Sequence, residues 1–303
     1  MAEGDAGGRV RADTRGGAAE VARACGDALR QLLARSDAPS AEGVRGELAR
    51  LGEALVTAQP AMAPVRGLVA AVVRATGAAR GSDCLSGGDA ARAAAGAALA
   101  TYLRRLRSGP AEAAARAGAL VPAGARVLTL SRSSTVLAAL RAAGPGGALQ
   151  VVCLESRPGL EGRRLAQELA AAAIRATVAP DAAVAALLPG CALALVGADA
   201  IGDAGVVNKI GTHVLALAAR AAGVPCYLVA DSTKLLPTGV TLPLDDDRPP
   251  EEVWPEAPAG VRAWNRYFEA TPLALFAGIV LEDGMYASED VERLRARGAR
   301  GES

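Results

Sequence analysis

Residues 193–231 read LALVGADAIGDAGVVNKIGTHVLALAARAAGVPCYLVAD, and the order of patterns within them decides the fold. The apolar run LALV stops at Gly197 and leads to Asp199, and a loop punctuated by Gly202 and Gly205 follows. Asn208, Lys209, Gly211 and Thr212 then enter the helical stretch THVLALAARAAG, and a second apolar run, CYLVAD, ends at Asp231. Short Val- and Leu-rich runs read as strands buried on both faces. The amphipathic stretch between them reads as the crossover that covers a face.

The same alternation extends toward the N-terminus. RVLTLS (126–131), LQVVCLES (149–156) and ATVAP (176–180) are further apolar runs. STVLAALRAAG, GRRLAQELAAA and DAAVAALL are the helical stretches between them. Strand and helix alternate four or five times, which predicts an α/β fold with a doubly wound parallel sheet. From Thr14 to about Ser108 only the helical period is present, as in AAEVARACGDALRQLLAR (18–35) and GVRGELARLGEALVTA (43–58). Ser108-Gly109-Pro110 is expected to break the last of these helices, with AEAAARAGALVPAG as a separate linking helix. The predicted organisation is a flexible N-terminus over 1–13, a helical domain over 14–120 and an α/β ligand-binding domain over 121–303. The Pro- and acid-rich stretch 240–262 reads as a surface loop.

Composition narrows the function classes. The 303 residues are 51% hydrophobic but only 3% aromatic, so the core is built from Ala, Val and Leu. A net charge of +1 provides no broad field for nucleic acid or an anionic membrane. No apolar stretch is long enough for a transmembrane helix, and the polar N-terminus does not read as a secretory signal, so a cytoplasmic protein is expected. Five scattered cysteines and a single histidine, His213, predict neither a disulfide framework nor a metal site, and no cofactor is expected. Only two of the 33 basic residues are lysines, Lys209 and Lys234. Both fall in the most distinctive segments, where a compact ammonium does what a guanidinium cannot.

In doubly wound sheets, ligands bind beyond the carboxyl ends of the strands. The candidates there are Ser131, Arg132, Ser133 and Ser134; Glu155, Arg157 and Arg163; Asp199 with Asn208 and Lys209; and Lys234. Hydroxyls and backbone N–H groups at a helix start hold anions, and helix capping accounts for the same serines. A guanidinium beside a carboxylate suits a phosphate and a sugar hydroxyl, and a structural Arg–Glu pair fits the same residues. Asp199, after a buried strand, suits general acid–base work. Thr14-Arg15-Gly16-Gly17 precedes the first helix and offers one more anion cap.

GADAIGDAGVVNKIGT, ESRPGLEG and FEATP (268–272) together resemble one superfamily. It contains the alpha, beta and delta regulatory subunits of eukaryotic translation initiation factor 2B. It also contains methylthioribose-1-phosphate isomerase and the archaeal ribose-1,5-bisphosphate isomerase. The resemblance implies a Rossmann-like C-terminal domain, a homodimer and a sugar-phosphate ligand. In the isomerases a cysteine works with an aspartate. That aspartate corresponds to Asp199, and the substrate-holding pair to Asn208 and Lys209. Arg15-Gly16 resembles the phosphate-binding R-G-A of the ribose-bisphosphate isomerases, and Arg157 the Arg of their E-x-R-P element. The cysteine position is Ser131, within Thr129-Leu130-Ser131-Arg132, and Gln59 and Pro64 replace a further Arg and Asn. A hydroxyl is a far weaker acid than a thiol, whose pKa is about 8.5. Two readings follow. One is a regulatory-type protein that binds a phosphorylated sugar or nucleotide, with a possible protein partner. The other is an aldose–ketose isomerase that uses Asp199, with Ser131 in place of the thiol.

Overall fold

The computed structural model describes residues 18–58, 62–78, 86–144, 148–236, 238–240, 244 and 248–300. Arg15, Gly16, Gln59 and the 1–13 segment lie outside them. The chain forms two compact units, Met1–Ser108 and Gly109–Ser303.

The first unit is helical: α1 (Ala18–Arg35), α2 (Ala41–Ala58), α3 (Ala63–Ala78) and most of α4 (Gly87–Ala119). Ser40 and Ser86 start α2 and α4 by accepting hydrogen bonds from the N–H groups of Gly43 (3.1 Å) and Asp89 (3.0 Å). The helical-period residues predicted to be apolar form the core, including Val21, Leu29, Leu48, Leu68 and Leu99.

One expectation fails here. The helix does not end at Ser108-Gly109-Pro110; α4 continues to Ala119 with Pro110 inside it. Proline removes one intrahelical hydrogen bond. The Ala-rich turns beyond it offset that loss by packing Ala113, Ala114 and Ala117 into the core of the second unit.

The second unit is an α/β layer structure. Its strands are β1 (Arg126–Leu130), β2 (Gln150–Leu154), β3 (Arg175–Ala179), β4 (Leu193–Val196), β7 (Cys226–Val229), β9 (Gly278–Val280) and β10 (Met285–Tyr286). They form one sheet in the order β10-β9-β7-β4-β1-β2-β3, parallel except for β10. Helices α5 (Ser134–Ala143), α6 (Glu161–Ala171), the short α7 (Val184–Leu187) and α8 (Thr212–Ala221) lie between strands, and α9 (Ser288–Arg300) ends the unit. Alternate strand residues feed two cores. Leu128, Val152, Ala194 and Leu228 point to the face covered by α8, and Val127, Val151, Leu195 and Val229 to the face covered by α5 and α6. The strand order reverses between β1 and β4. That is the topological switch point, where doubly wound sheets open a crevice at their carboxyl ends.

A second, antiparallel sheet of β5 (Ala200–Gly202), β6 (Gly205–Lys209) and β8 (Phe268–Thr271) was not legible as such. Asn208 and Lys209 therefore sit on a strand, not at the entry to a helix. Asn208 pairs in register with Glu269, and Lys209 with Phe268. The partner strand lies far along the chain, so nothing local announces the pairing. The β5–β6 turn needs glycine at Gly205. Its φ is +100°, and a Cβ there would stand 2.2 Å from the Thr271 carbonyl oxygen. No helix among the described residues is long and apolar enough to cross a membrane.

Candidate functional site

The carboxyl ends of β1 and β2 are joined by their own loops. Ser131 follows β1 with φ 63°, and Ser156 follows β2 with φ 64°. Both are left-handed positions that cost a side-chain-bearing residue energy and mark functional loops. The Ser131 N–H donates to Ser156 Oγ at 2.7 Å, and that fully buried hydroxyl donates to the Leu154 carbonyl at 3.1 Å. Asp181, which sequence reasoning missed, accepts from the N–H groups of Ser156 (2.7 Å) and Arg157 (2.8 Å) and holds the loop after β2. Its only signal was its place directly after the ATVAP run.

The polar candidates divide. Ser133 is the N-cap of α5, accepting from the Val136 N–H at 3.3 Å. It lies against the end of β4, where a Cβ on Gly197 would be 2.6 Å from its side chain. Arg132 forms a two-pronged pair with Glu168, at 2.7 and 3.2 Å. Arg163 pairs with Glu155 at 2.6 Å. The exposed Arg157 and the half-buried Lys234 have no side-chain partner among the described residues.

Asn208 and Lys209 are buried at the end of β6. Lys209 Nζ lies 2.8 Å from Glu161 Oε1 and 5.1 Å from the centre of the Tyr267 ring. Glu161 is the first residue of α6, and its Oε2 is buried without a partner among the described residues. Gly162 lets this helix start against the strand, because a Cβ there would stand 1.8 Å from the Leu154 carbonyl oxygen. Asn208 Nδ2 donates to Thr212 Oγ1 at 2.9 Å, and that hydroxyl donates to the Lys209 carbonyl at 2.6 Å. Glu269 accepts from the N–H groups of Gly211 and His213, both at 2.8 Å, so a carboxylate of the chain itself fills the N-terminus of α8. Asp199 follows β4, half-buried, with its N–H donating to the Val207 carbonyl at 2.9 Å.

The described cysteines stand apart from this chemistry. Burial pushes the thiols of Cys153 and Cys226 up to about 12 and that of Cys25 up to about 11. Thiols so desolvated are inert near neutral pH.

A family model described as the Initiation factor 2 subunit family matches residues 14–288. The chain belongs to that family. Two curated relatives are named methylthioribose-1-phosphate isomerase. The protein from Gemmatimonas aurantiaca is 42% identical over 182 residues, 55% of this chain and 52% of the relative. The protein from Oryza sativa subsp. indica is 37% identical over 173 residues, 52% of this chain and 46% of the relative. The chain thus spans about half the length of the curated relatives it matches. Among solved structures, the Pyrococcus horikoshii OT3 translation initiation factor eIF-2B superposes with a TM-score of 0.77 at 27% identity. The match covers 95% of this chain and 98% of that one. Proteins similar to this chain thus carry both names, isomerase and factor. Membership fixes the helical unit and the Rossmann-like sheet.

Proposed function

We propose that this chain is a binding protein of the factor 2B regulatory type. Its C-terminal unit takes a phosphorylated sugar or nucleotide beyond the carboxyl ends of β1 and β4, without thiol chemistry. Ser131 carries this reading. It stands where the resemblance places the isomerase cysteine, and its N–H is already bonded to Ser156. None of the described cysteines is a replacement, since each is buried. Arg157 and Lys234 are the cations for phosphate. Asn208 and Lys209 suit the sugar oxygens. A homodimer in the cytoplasm belongs to the same reading.

A second reading has its own support. Asp199, Asn208 and Lys209 are all present, and the match to the Gemmatimonas isomerase is 42%. Under it, Asp199 moves the proton of an aldose–ketose isomerisation.

Phosphorus and proton NMR separates the two. Ribose 1,5-bisphosphate, methylthioribose 1-phosphate and AMP are added in turn to the protein. Line broadening without conversion is the expected result. A ketose phosphate signal would replace the proposal with the isomerase reading, and unperturbed spectra with all three compounds would remove the ligand site.

A further inference from the structure

The stretch from Arg248 to Tyr267, read from sequence mostly as surface loop, reaches the candidate site through one side chain. Lys209 is 3% exposed, and two groups cover its ammonium: the Glu161 carboxylate and the face of the Tyr267 ring. Tyr267 is itself held from several sides. Its carbonyl accepts from the N–H of Ile210, the residue after Lys209, at 2.8 Å. Its hydroxyl donates to Glu252, with oxygens at 2.6 and 2.5 Å. The Arg248 guanidinium lies 4.8 Å from the ring centre. Asn265, 2% exposed, closes the segment by donating to Glu252 Oε2 at 2.9 Å and to the Pro249 carbonyl at 2.8 Å.

An ammonium on a four-carbon stem is not located by one ion pair, because the stem pivots. A ring face within about 6 Å attracts the cation and fills the volume it would swing into. The hydroxyl bond to Glu252 then fixes the tilt of the ring. Burial, followed by Glu252, pushes the Tyr267 hydroxyl up to about 12, so it remains a donor across the physiological range.

We propose that Tyr267, held by Glu252, is a positioning residue for Lys209, its ring fixing where the ammonium stands in the ligand site. The inference rests on the reading that Lys209 faces the ligand. The geometry of the ammonium can nevertheless be read without any ligand.

The chain's two lysines make the test direct. Protein labelled with 15N-lysine gives two ammonium signals, and the one that Lys209→Arg removes belongs to Lys209. Tyr267→Phe keeps the ring and loses the bond to Glu252, so the Lys209 signal is expected to shift slightly and to keep its slow proton exchange. Tyr267→Leu is expected to shift it, speed its exchange roughly tenfold, and weaken ribose 1,5-bisphosphate binding about twofold to thirtyfold. A folded Tyr267→Leu protein with an unmoved signal overturns the proposal, because Glu161 alone would then position the lysine. A Tyr267→Phe protein that behaves like Tyr267→Leu also overturns it, since the ring would not be the acting group. If Tyr267→Leu does not fold, Glu252→Gln carries the test, and an unshifted Lys209 signal in that variant counts against the proposal. A shifted signal in a protein whose wild type binds none of the phosphorylated probes supports the positioning role while the binding reading fails.

Discussion

At the carboxyl ends of β7 and β9, polar side chains turn back on their own loops. Asp231 caps the following turn by accepting from the Thr233 N–H at 3.0 Å, and Glu282 accepts from the Ser232 N–H at 2.8 Å and from the Ser232 hydroxyl. At the ends of β1 and β2 the construction differs. Ser131 and Ser156 hold left-handed backbone, and the exposed Arg157 has no side-chain partner among the described residues. Lys209 reaches the start of α6 there, through Glu161. One half of the edge is thus satisfied by its own loops, while the other keeps left-handed backbone and a cation without a side-chain partner among the described residues. Lys234 is the exception, a cation without a side-chain partner among the described residues on the β7 side. A strand-end carboxylate or serine is therefore weak evidence of a site until its partners are known.

The largest expected effect tests the β2 half. Gly162→Ala drives a methyl group into the Leu154 carbonyl oxygen, 1.8 Å away, so helix and strand must separate. A loss of about 3 kcal/mol is expected in urea unfolding. Gly223→Ala is the control. Its φ is +68° and nothing lies within 4 Å, so only backbone strain of about 1 kcal/mol is expected. If the two variants lose equal stability, the close start of α6 is not what shapes this half of the edge.

Five strands of the large sheet, β1 to β4 and β7, were legible as short apolar runs, and both faces of RVLTL or LALV are buried; β9 and β10 were not read. The small sheet was not legible either. GVVNK is short and lies between glycines, and it pairs with FEAT, whose sequence carries no period that marks it as the partner. At the site, residue types were visible and partners were not. Arg132 and Glu155 were chosen as ligand contacts for their charge, and the sequence did not announce that they pair with Glu168 and Arg163. Glu269 looked like a motif residue and proves to cap α8. Glu161 and Tyr267 escaped notice, because only tertiary folding brings them to Lys209.

A smaller effect is expected in the β7–β9 half. Glu282→Ala leaves the Ser232 N–H and hydroxyl without their acceptor, at a cost of about 2 kcal/mol. Binding of ribose 1,5-bisphosphate should stay within twofold of wild type, as titration by NMR would show. A tenfold weaker affinity would erase the distinction between the halves.

The smallest effect concerns the hairpin that carries Lys209. Arg295 of α9 donates to Asp203 in the β5–β6 turn at 2.5 Å, and the Gly239 N–H donates to the same carboxylate at 2.8 Å. These bonds, Arg295 first, hold the Asp203 carboxyl below its ordinary value of 3.8. A carboxyl depressed by folding stabilises the protein fully above its unfolded pKa, and the gain disappears as pH falls through the folded value. The stability difference between wild type and Asp203→Asn should therefore be level from pH 7 to pH 5 and shrink below about pH 4. The Asp203 side chain is 37% exposed, which keeps the effect near that of a surface pair. Urea unfolding at pH 7, 5, 4 and 3 measures it. A difference that stays level to pH 3 would mean that the turn is fastened by Arg295 to the Leu236 carbonyl, its other acceptor at 2.8 Å, and not by the carboxylate. The strand bearing Asn208 and Lys209 would then keep its register in acid, and any acid loss of ligand binding would have to arise at the ligand-facing groups themselves.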